Sequence, residues 1–277
     1  MGTCAQWWIC SSPNCRRAWI ASESVLVLLP PSETKRVPRS GAPLDLQNRP
    51  PPLQQPTRVI LDALVELCRS DPGEAREALG LSAAQADLVA LDSGLPTAPA
   101  APARRIYTGV LFEALAAQAL PSGARRRADA DLWVASALFG AVRLGESIPA
   151  YRLSAGTQLP GVPGLSALWR DPMAEVLIAA DPELILDLRS GPYAALWPVP
   201  KVLRARVVVG KVWQRGPDGT RTAVSHHNKA TKGQLTRSLL LSRRRPKSPV
   251  TLLAAVRSCG WAADLEDGRL DVVVDQV

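Results

Sequence analysis

The sequence predicts a single domain of the α+β class, with strands and helices mixed along the chain around one core. Three observations lead there. The chain has 277 residues, 47% hydrophobic and 21% charged, which is enough apolar surface for one sizeable core. Three short aliphatic runs, at 25–29, 132–135 and 184–188, read as buried strands, the first and last of them stopped by proline-, serine- or glycine-bearing clusters. Between them lie segments with apolar residues at helical spacing, and no internal repeat is present.

Taken in order, strand 25–29 is stopped by Pro30-Pro31. Residues 37–57, rich in Pro, Arg and Gln without apolar period, read as an extended surface loop. Val59, Leu61, Leu64, Val65 and Cys68 give a helix over 58–69. A short helix over 73–79 stops at Gly80, and Ser82 stands where it can cap another over 83–91. The Leu79-Gly80-Leu81 turn between them makes 71–93 a helix–hairpin–helix candidate. A Pro/Ala linker spans 94–103, followed by a helix over 110–120. A helix over 165–180 separates the second and third strands. Runs at 204–214 and 221–227 are joined by Gly216-Pro217-Asp218-Gly219, a hairpin signal. Helices near 230–242 and 249–259 and a strand at 270–274 complete the domain.

No apolar run approaches the roughly 18 residues that span a bilayer, and the N-terminus lacks the basic start of a signal peptide. The protein is therefore expected in the cytoplasm, away from membranes. Residues 1–24 stand apart, with three of the five cysteines, three of the eight tryptophans and no periodicity. They are expected to be a non-native or disordered extension, with Val25 the natural first residue if a GUG codon starts translation. The spacing of Cys4, Cys10 and Cys15 fits no zinc pattern. Cys68 and Cys259 read as small core residues. No metal and no cofactor is expected.

Charge is unevenly spread. From Arg189 to Arg257 there are 15 Lys and Arg against one acid, Asp218, a local +14 in a chain of +8 overall, so the remainder carries −6. A one-signed half points to a polyanionic partner. The usual catalytic signatures (GxSxG, Walker A, HExxH, GxGxxG) are missing. The only histidines, His226 and His227, fall on a predicted strand that sends them to opposite faces.

Polar clusters follow the apolar runs instead: Ser32-Glu33-Thr34-Lys35, Arg189-Ser190-Gly191, and Asn228-Lys229-Ala230-Thr231-Lys232-Gly233 at a helix start. Strand ends bearing hydroxyls, cations and glycine are how mixed α/β proteins build anion sites. On a helix, Lys229, Lys232, Thr236 and Arg243 fall within about 60° of one another.

The order of PPSETK, IYTG (106–109), SALFGAVR (136–143), AYRLSAG (150–156), DLRSGPY (187–193) and HHNKATKG (226–233) resembles the YaaA family of peroxide stress proteins, in an actinobacterial-like branch. The resemblance runs from Val25 to the C-terminus. It implies a cytosolic protein, made under hydrogen peroxide stress, that limits damage from free iron. It also implies one mixed α/β domain with a basic cleft, a helix–hairpin–helix element and DNA binding. The match departs where Glu33 replaces the lysine of the enterobacterial Ser-Pro-Ala-Lys-Thr. The hairpin candidate, with five acids and one arginine, carries −4.

Two functional expectations follow. In the first, a monomer holds double-stranded DNA electrostatically and with low sequence specificity, without catalysis. Lys35, Arg152, Arg189, Lys229 and Lys232 face phosphates, and Ser32, Tyr107, Tyr151, Ser190 and Asn228 supply hydrogen bonds. In the second, the same cleft is the site of an enzyme acting on a small phosphorylated or carboxylate substrate, with Tyr151, Ser32 and Lys229 as candidate groups. Direct iron binding is the weakest alternative, because Cys and His are scarce beyond residue 24.

Overall fold

The computed structural model of the chain describes residues 25–216, 220–223 and 226–275. The extension 1–24 and the hairpin tip at 217–219 lie outside the described residues.

Among the described residues ten strands are formed: β1 (Val25–Leu29), β2 (Ala101–Pro102), β3 (Leu132–Ser136), β4 (Gly140–Arg143), β5 (Ser147–Ile148), β6 (Leu184–Asp187), β7 (Val207–Arg215), β8 (Arg221–Ala223), β9 (Ala262–Glu266) and β10 (Arg269–Asp275). Eight make one mixed sheet in the order β4-β3-β1-β6-β7-β10-β9, with β8 paired to β7; β2 and β5 form a separate ribbon. β3, β1, β6, β7 and β10 run parallel, and β4, β8 and β9 are antiparallel additions. β1, β3 and β6 are buried at every position, because a parallel strand covered on both faces needs apolar residues on both. That is why these three read as unbroken aliphatic runs. β9 alternates its exposure and is not visible as such a run.

The helices are α1 (Pro51–Ser70), α2 (Pro72–Ala78), α3 (Asp87–Ser93), α4 (Ala103–Ile106), α5 (Val110–Leu115), α6 (Ser122–Asp131), α7 (Leu165–Ala180), α8 (Gly191–Leu196), α9 (His226–Leu241) and α10 (Pro249–Ser258). No described helix is long and apolar enough to cross a membrane.

Several expectations change. The loop 37–57 is cut short: α1 starts at Pro51, because prolines at its first two positions lack only N–H groups that a helix start leaves unbonded. Its Pro56 also lies inside the helix. In the hairpin candidate, Gly80 takes the left-handed conformation (φ +63°) that ends α2. The next helix begins at Asp87, after a 3-10 turn at Ala83–Gln85, and both short helices pack on α1. His226 and His227 open helix α9 rather than ending a strand. α9 stops at Leu241, so Arg243 lies beyond it. The rest of the expected cationic stripe turns inward: Lys232 and Thr236 are buried and only Lys229 is exposed.

α9 lies close against α5 at Gly233, where a Cβ would sit 2.2 Å from the Leu111 carbonyl oxygen. The chain leaves β1 for β3 on one side and β6 for β7 on the other. This is the switch point at whose carboxyl edge open α/β sheets hold their ligands.

Candidate functional site

The site is assembled at that edge, beyond the ends of β1 and β3. Pro30 and Pro31 donate no backbone hydrogen bond and stop β1. The chain then runs beside 106–108: Arg36 N–H donates to Ile106 O (2.8 Å), Thr108 N–H donates to Thr34 O (3.3 Å), and Lys35 forms an antiparallel bridge with Tyr107. The closeness explains the glycine of the Tyr-Thr-Gly motif. Gly109 has φ +88°, and a Cβ there would stand 2.8 Å from Ser32 Oγ. Ser32, Thr34 and Thr108 join in a hydroxyl cluster, with Oγ–Oγ1 distances of 3.2 and 3.1 Å to Thr34.

Behind this surface a buried hydroxyl chain runs into the sheet. Tyr107 and Tyr151 share a hydrogen bond of 3.0 Å, Tyr151 and Ser136 another of 2.7 Å, and Ser136 Oγ accepts the Phe139 N–H at 3.0 Å. Burial raises the pKa of both phenols, so they are neutral donors and acceptors. Over them lies Lys35. Its Nζ donates to Ser32 O (2.8 Å) and sits 4.3 Å from the Tyr151 ring centre and 5.5 Å from that of Tyr107, within cation–π range. Burial, assisted by the Arg152 charge, lowers the Lys35 pKa to about 7.

The partner of this lysine comes from α3, within the hairpin candidate. Asp92 is fully buried; its Oδ1 accepts the Arg152 backbone N–H at 2.9 Å, and its Oδ2 has no hydrogen-bond partner. Burial raises its pKa to about 7, against the opposing pull of that N–H, Lys35 and Arg152. The Arg152 guanidinium reaches Glu33 at 3.4 Å, while its Nε is buried and unpartnered. Sequence reasoning missed Asp92 and Ser136. The signal for Asp92 is its place three residues after Val89, an acid on the inward stripe of a helix, where both are buried.

Of the ten expected site residues, Ser32, Lys35, Tyr107, Tyr151 and Arg152 come together here. Arg189 does not face outward. It makes two bonds to Asp187 (2.9 and 2.7 Å), donates to Trp197 O (2.9 Å) and Tyr193 O (3.3 Å), and stacks 3.9 Å from the Trp197 ring centre. Four of its five N–H donors are thus engaged within the protein. Lys232 is likewise internal, donating to Leu188 O (2.9 Å), with its pKa lowered by burial. Both tie down the chain leaving β6. Ser190 and Lys229 are exposed, and Asn228 is half-buried with Oδ1 unpartnered. Among the described residues, no group of three or more His, Cys, Asp or Glu is arranged to hold a metal ion.

The opposite, amino edge of the sheet carries a different feature. Arg127 donates to Leu240 O, and Val25, Leu239, Arg244, Arg245 and Pro246 line a groove with it, Asp131 being the acid present. Arg127 has its pKa lowered by burial and then by the charges of Arg245 and Arg126, so cations of α6 and of the segment after α9 crowd together. Arg125, Arg126, Arg243, Arg244 and Arg245 are exposed.

Comparison with known proteins settles the family. A family model described as "Peroxide stress protein YaaA" matches residues 25–265. The chain belongs to the YaaA family of peroxide stress proteins. It is 46% identical to a UPF0246 protein of Streptomyces coelicolor over 262 residues, covering 91% of this chain and all of the relative. It is 40% identical to a UPF0246 protein of Corynebacterium efficiens, covering 90% and 98% of the two chains, and 30% identical to one from Leptothrix cholodnii, covering 68% and 77%. The YaaA-family match takes in both edges, and it begins at Val25, where β1 begins.

Proposed function

We propose that this YaaA-family chain acts in the cytoplasm as a peroxide stress protein, limits iron-mediated damage there, and contacts double-stranded DNA electrostatically. Family membership supports the stress role. The observation that carries DNA contact is the arginine cluster of the amino edge, where Arg126, Arg127, Arg244 and Arg245 are brought together beside Asp131, flanked by the exposed Arg125 and Arg243. Such crowding is unfavourable unless a polyanion relieves it. The binding surface differs from the cleft expected from the sequence, since Arg189 and Lys232 spend their charges inside.

The test is fluorescence anisotropy of a labelled duplex across a salt series, comparing the protein with an Arg243→Ala/Arg244→Ala/Arg245→Ala variant. Binding should weaken as salt rises, and the variant's log–log slope should be shallower by up to about 0.9 for each phosphate it no longer neutralises. Absence of binding at low salt rejects the DNA role. For the stress role, a strain lacking the protein should die faster under peroxide, and an intracellular iron chelator should remove the difference.

A second reading, an enzyme acting on a small phosphorylated or carboxylate substrate, is favoured by one specific observation. Lys35 and Asp92 both titrate near neutrality at the carboxyl edge, where general acids and bases are poised.

A further inference from the structure

The carboxyl edge holds polar groups that the protein's own hydrogen bonds leave unused. Asp92 Oδ2 and Arg152 Nε are both buried without a partner. Each such group costs about 1–3 kcal/mol if nothing meets it, so buried orphans of this kind call for a ligand or water. Lys35 Nζ gives one hydrogen bond, to Ser32 O, out of the three that an ammonium can make. Lys35 and Arg152 both act on Asp92 through their charges. Yet among the described residues Asp92 makes no salt bridge, and its one bond to Arg152 is to the backbone. The three groups therefore lie near enough to act on one another through charge without bonding directly, and Lys35 Nζ rests over the Tyr107 and Tyr151 rings.

Two donors with positive charge and one carboxyl oxygen, each with bonding capacity the protein leaves unused, define a ligand by chemistry. It must be anionic, to lie between Lys35 and Arg152. It must also share a proton with a carboxyl group, since a bare anion would be repelled by an ionised Asp92. We propose that these three groups bind a small oxyanion of the phosphate or carboxylate class, with its charge held by Lys35 Nζ and Arg152 Nε–H and one proton shared with Asp92 Oδ2.

The groups acting on Asp92 are Lys35 and Arg152, Asp92 in turn raises the pKa of Cys68, and those acting on Lys35 are Arg152, Asp92 and Glu33. Because Lys35 and Asp92 each titrate near 7, ligand binding should be accompanied by proton exchange at neutral pH. The Tyr151–Ser136 chain holds the ring wall in place from behind. The inference rests on the small-substrate enzyme reading of this edge, but it concerns binding and would stand without turnover.

The experiment is isothermal titration calorimetry of the full chain with inorganic phosphate and, separately, with acetate. Each titration is run at pH 6, 7 and 8 in two buffers of different ionisation enthalpy. Saturable binding of phosphate alone assigns the site to phosphates, and of acetate alone to carboxylates. Arg152→Ala should weaken binding roughly ten- to a hundredfold, the loss expected for one charged hydrogen bond. Asp92→Asn should retain the fold by near-ultraviolet circular dichroism and change the buffer dependence of the heat, leaving only the share that comes from Lys35. No saturable heat from either probe, or equal binding and equal proton exchange in folded Arg152→Ala and Asp92→Asn, overturns the proposal. Binding of a probe without turnover of any phosphorylated or carboxylate compound would reject the enzyme reading and leave the binding site intact.

Discussion

The two edges of one sheet handle charge in opposite ways. At the carboxyl edge, Lys35, Asp92 and Arg152 are drawn inward, and burial brings an acid and a base to about the same pKa of 7. At the amino edge, Arg125, Arg126 and residues 243–245 stay at the surface, where water screens their repulsion. A few charges desolvated in a gap can discriminate a small ligand by geometry, whereas many solvated ones attract a polymer of opposite sign without reading it. The contrast teaches that net charge alone, +14 over 189–257, does not locate a site. Arg189 and Lys232 belong to that run and serve as internal braces.

The largest effect should come from breaking such a brace. Asp187→Ala leaves the Arg189 guanidinium buried beside Trp197 without its bidentate partner. The loss should be about 3–5 kcal/mol in urea unfolding, as expected when one member of a buried pair is removed. If the cost is below about 1 kcal/mol, Arg189 is not the structural member that its hydrogen bonds indicate.

The amino-edge cations should behave in the opposite way. Arg243→Ala/Arg244→Ala/Arg245→Ala removes three exposed charges and should leave unfolding within about 0.5 kcal/mol of the parent. Affinity for duplex DNA at low salt should fall at least about tenfold. A large loss of stability with unchanged DNA affinity would reverse the assignment of the two edges.

The third effect is a pH signature of the carboxyl edge. Asp92 has a folded pKa raised from 3.8 to about 7. Its contribution to stability is fully present below about pH 4 and is lost as pH rises through 7. Lys35 has a folded pKa lowered from 10.5 to about 7, so its contribution is fully present above pH 10.5 and is lost as pH falls through 7. Together they should produce a local minimum of stability near neutrality. Asp92→Asn should remove the acidic arm and raise stability at pH 7–8 by about 1–2 kcal/mol. Lys35→Met should remove the alkaline arm. Thermal melts from pH 4 to 10 would expose the pattern, and a flat profile in the parent would mean that neither group is desolvated.

Much of the carboxyl edge was legible in the sequence because its elements are local. An aliphatic run closed by two prolines fixes where Ser32 and Lys35 leave the sheet. The Tyr-Thr-Gly motif carries a glycine that only close approach explains. Asp92 was not legible, because its role depends on α3 packing so that an acid faces a lysine more than fifty positions earlier, and no local pattern encodes that meeting. The inward turn of Lys232 was hidden for a related reason. Helical spacing puts Lys229, Lys232 and Thr236 near one face, but the face that meets the body is decided by where Gly233 can approach α5. The start of α1 at Pro51 was missed because proline-rich composition signals a loop, although prolines at a helix start sacrifice no hydrogen bond.

The smallest expected effect tests whether the hydroxyl chain behind Lys35 is a rigid wall. Tyr151→Phe keeps the ring under the ammonium and deletes the oxygen that joins Tyr107 to Ser136. The Tyr107 hydroxyl loses its bonded partner, while Ser136 Oγ loses one of two and still accepts the Phe139 N–H, so the stability loss should be about 1 kcal/mol. The Lys35 cation–π interaction should survive, because it depends on the ring face rather than the hydroxyl. The pH minimum near 7 should then persist in Tyr151→Phe and vanish in Tyr151→Leu, where the ring is gone and water can reach the amine. If both variants lose the minimum, the hydroxyl chain rather than the ring sets the environment of Lys35. The carboxyl edge would then owe its chemistry to the hydrogen-bond network running back into β3.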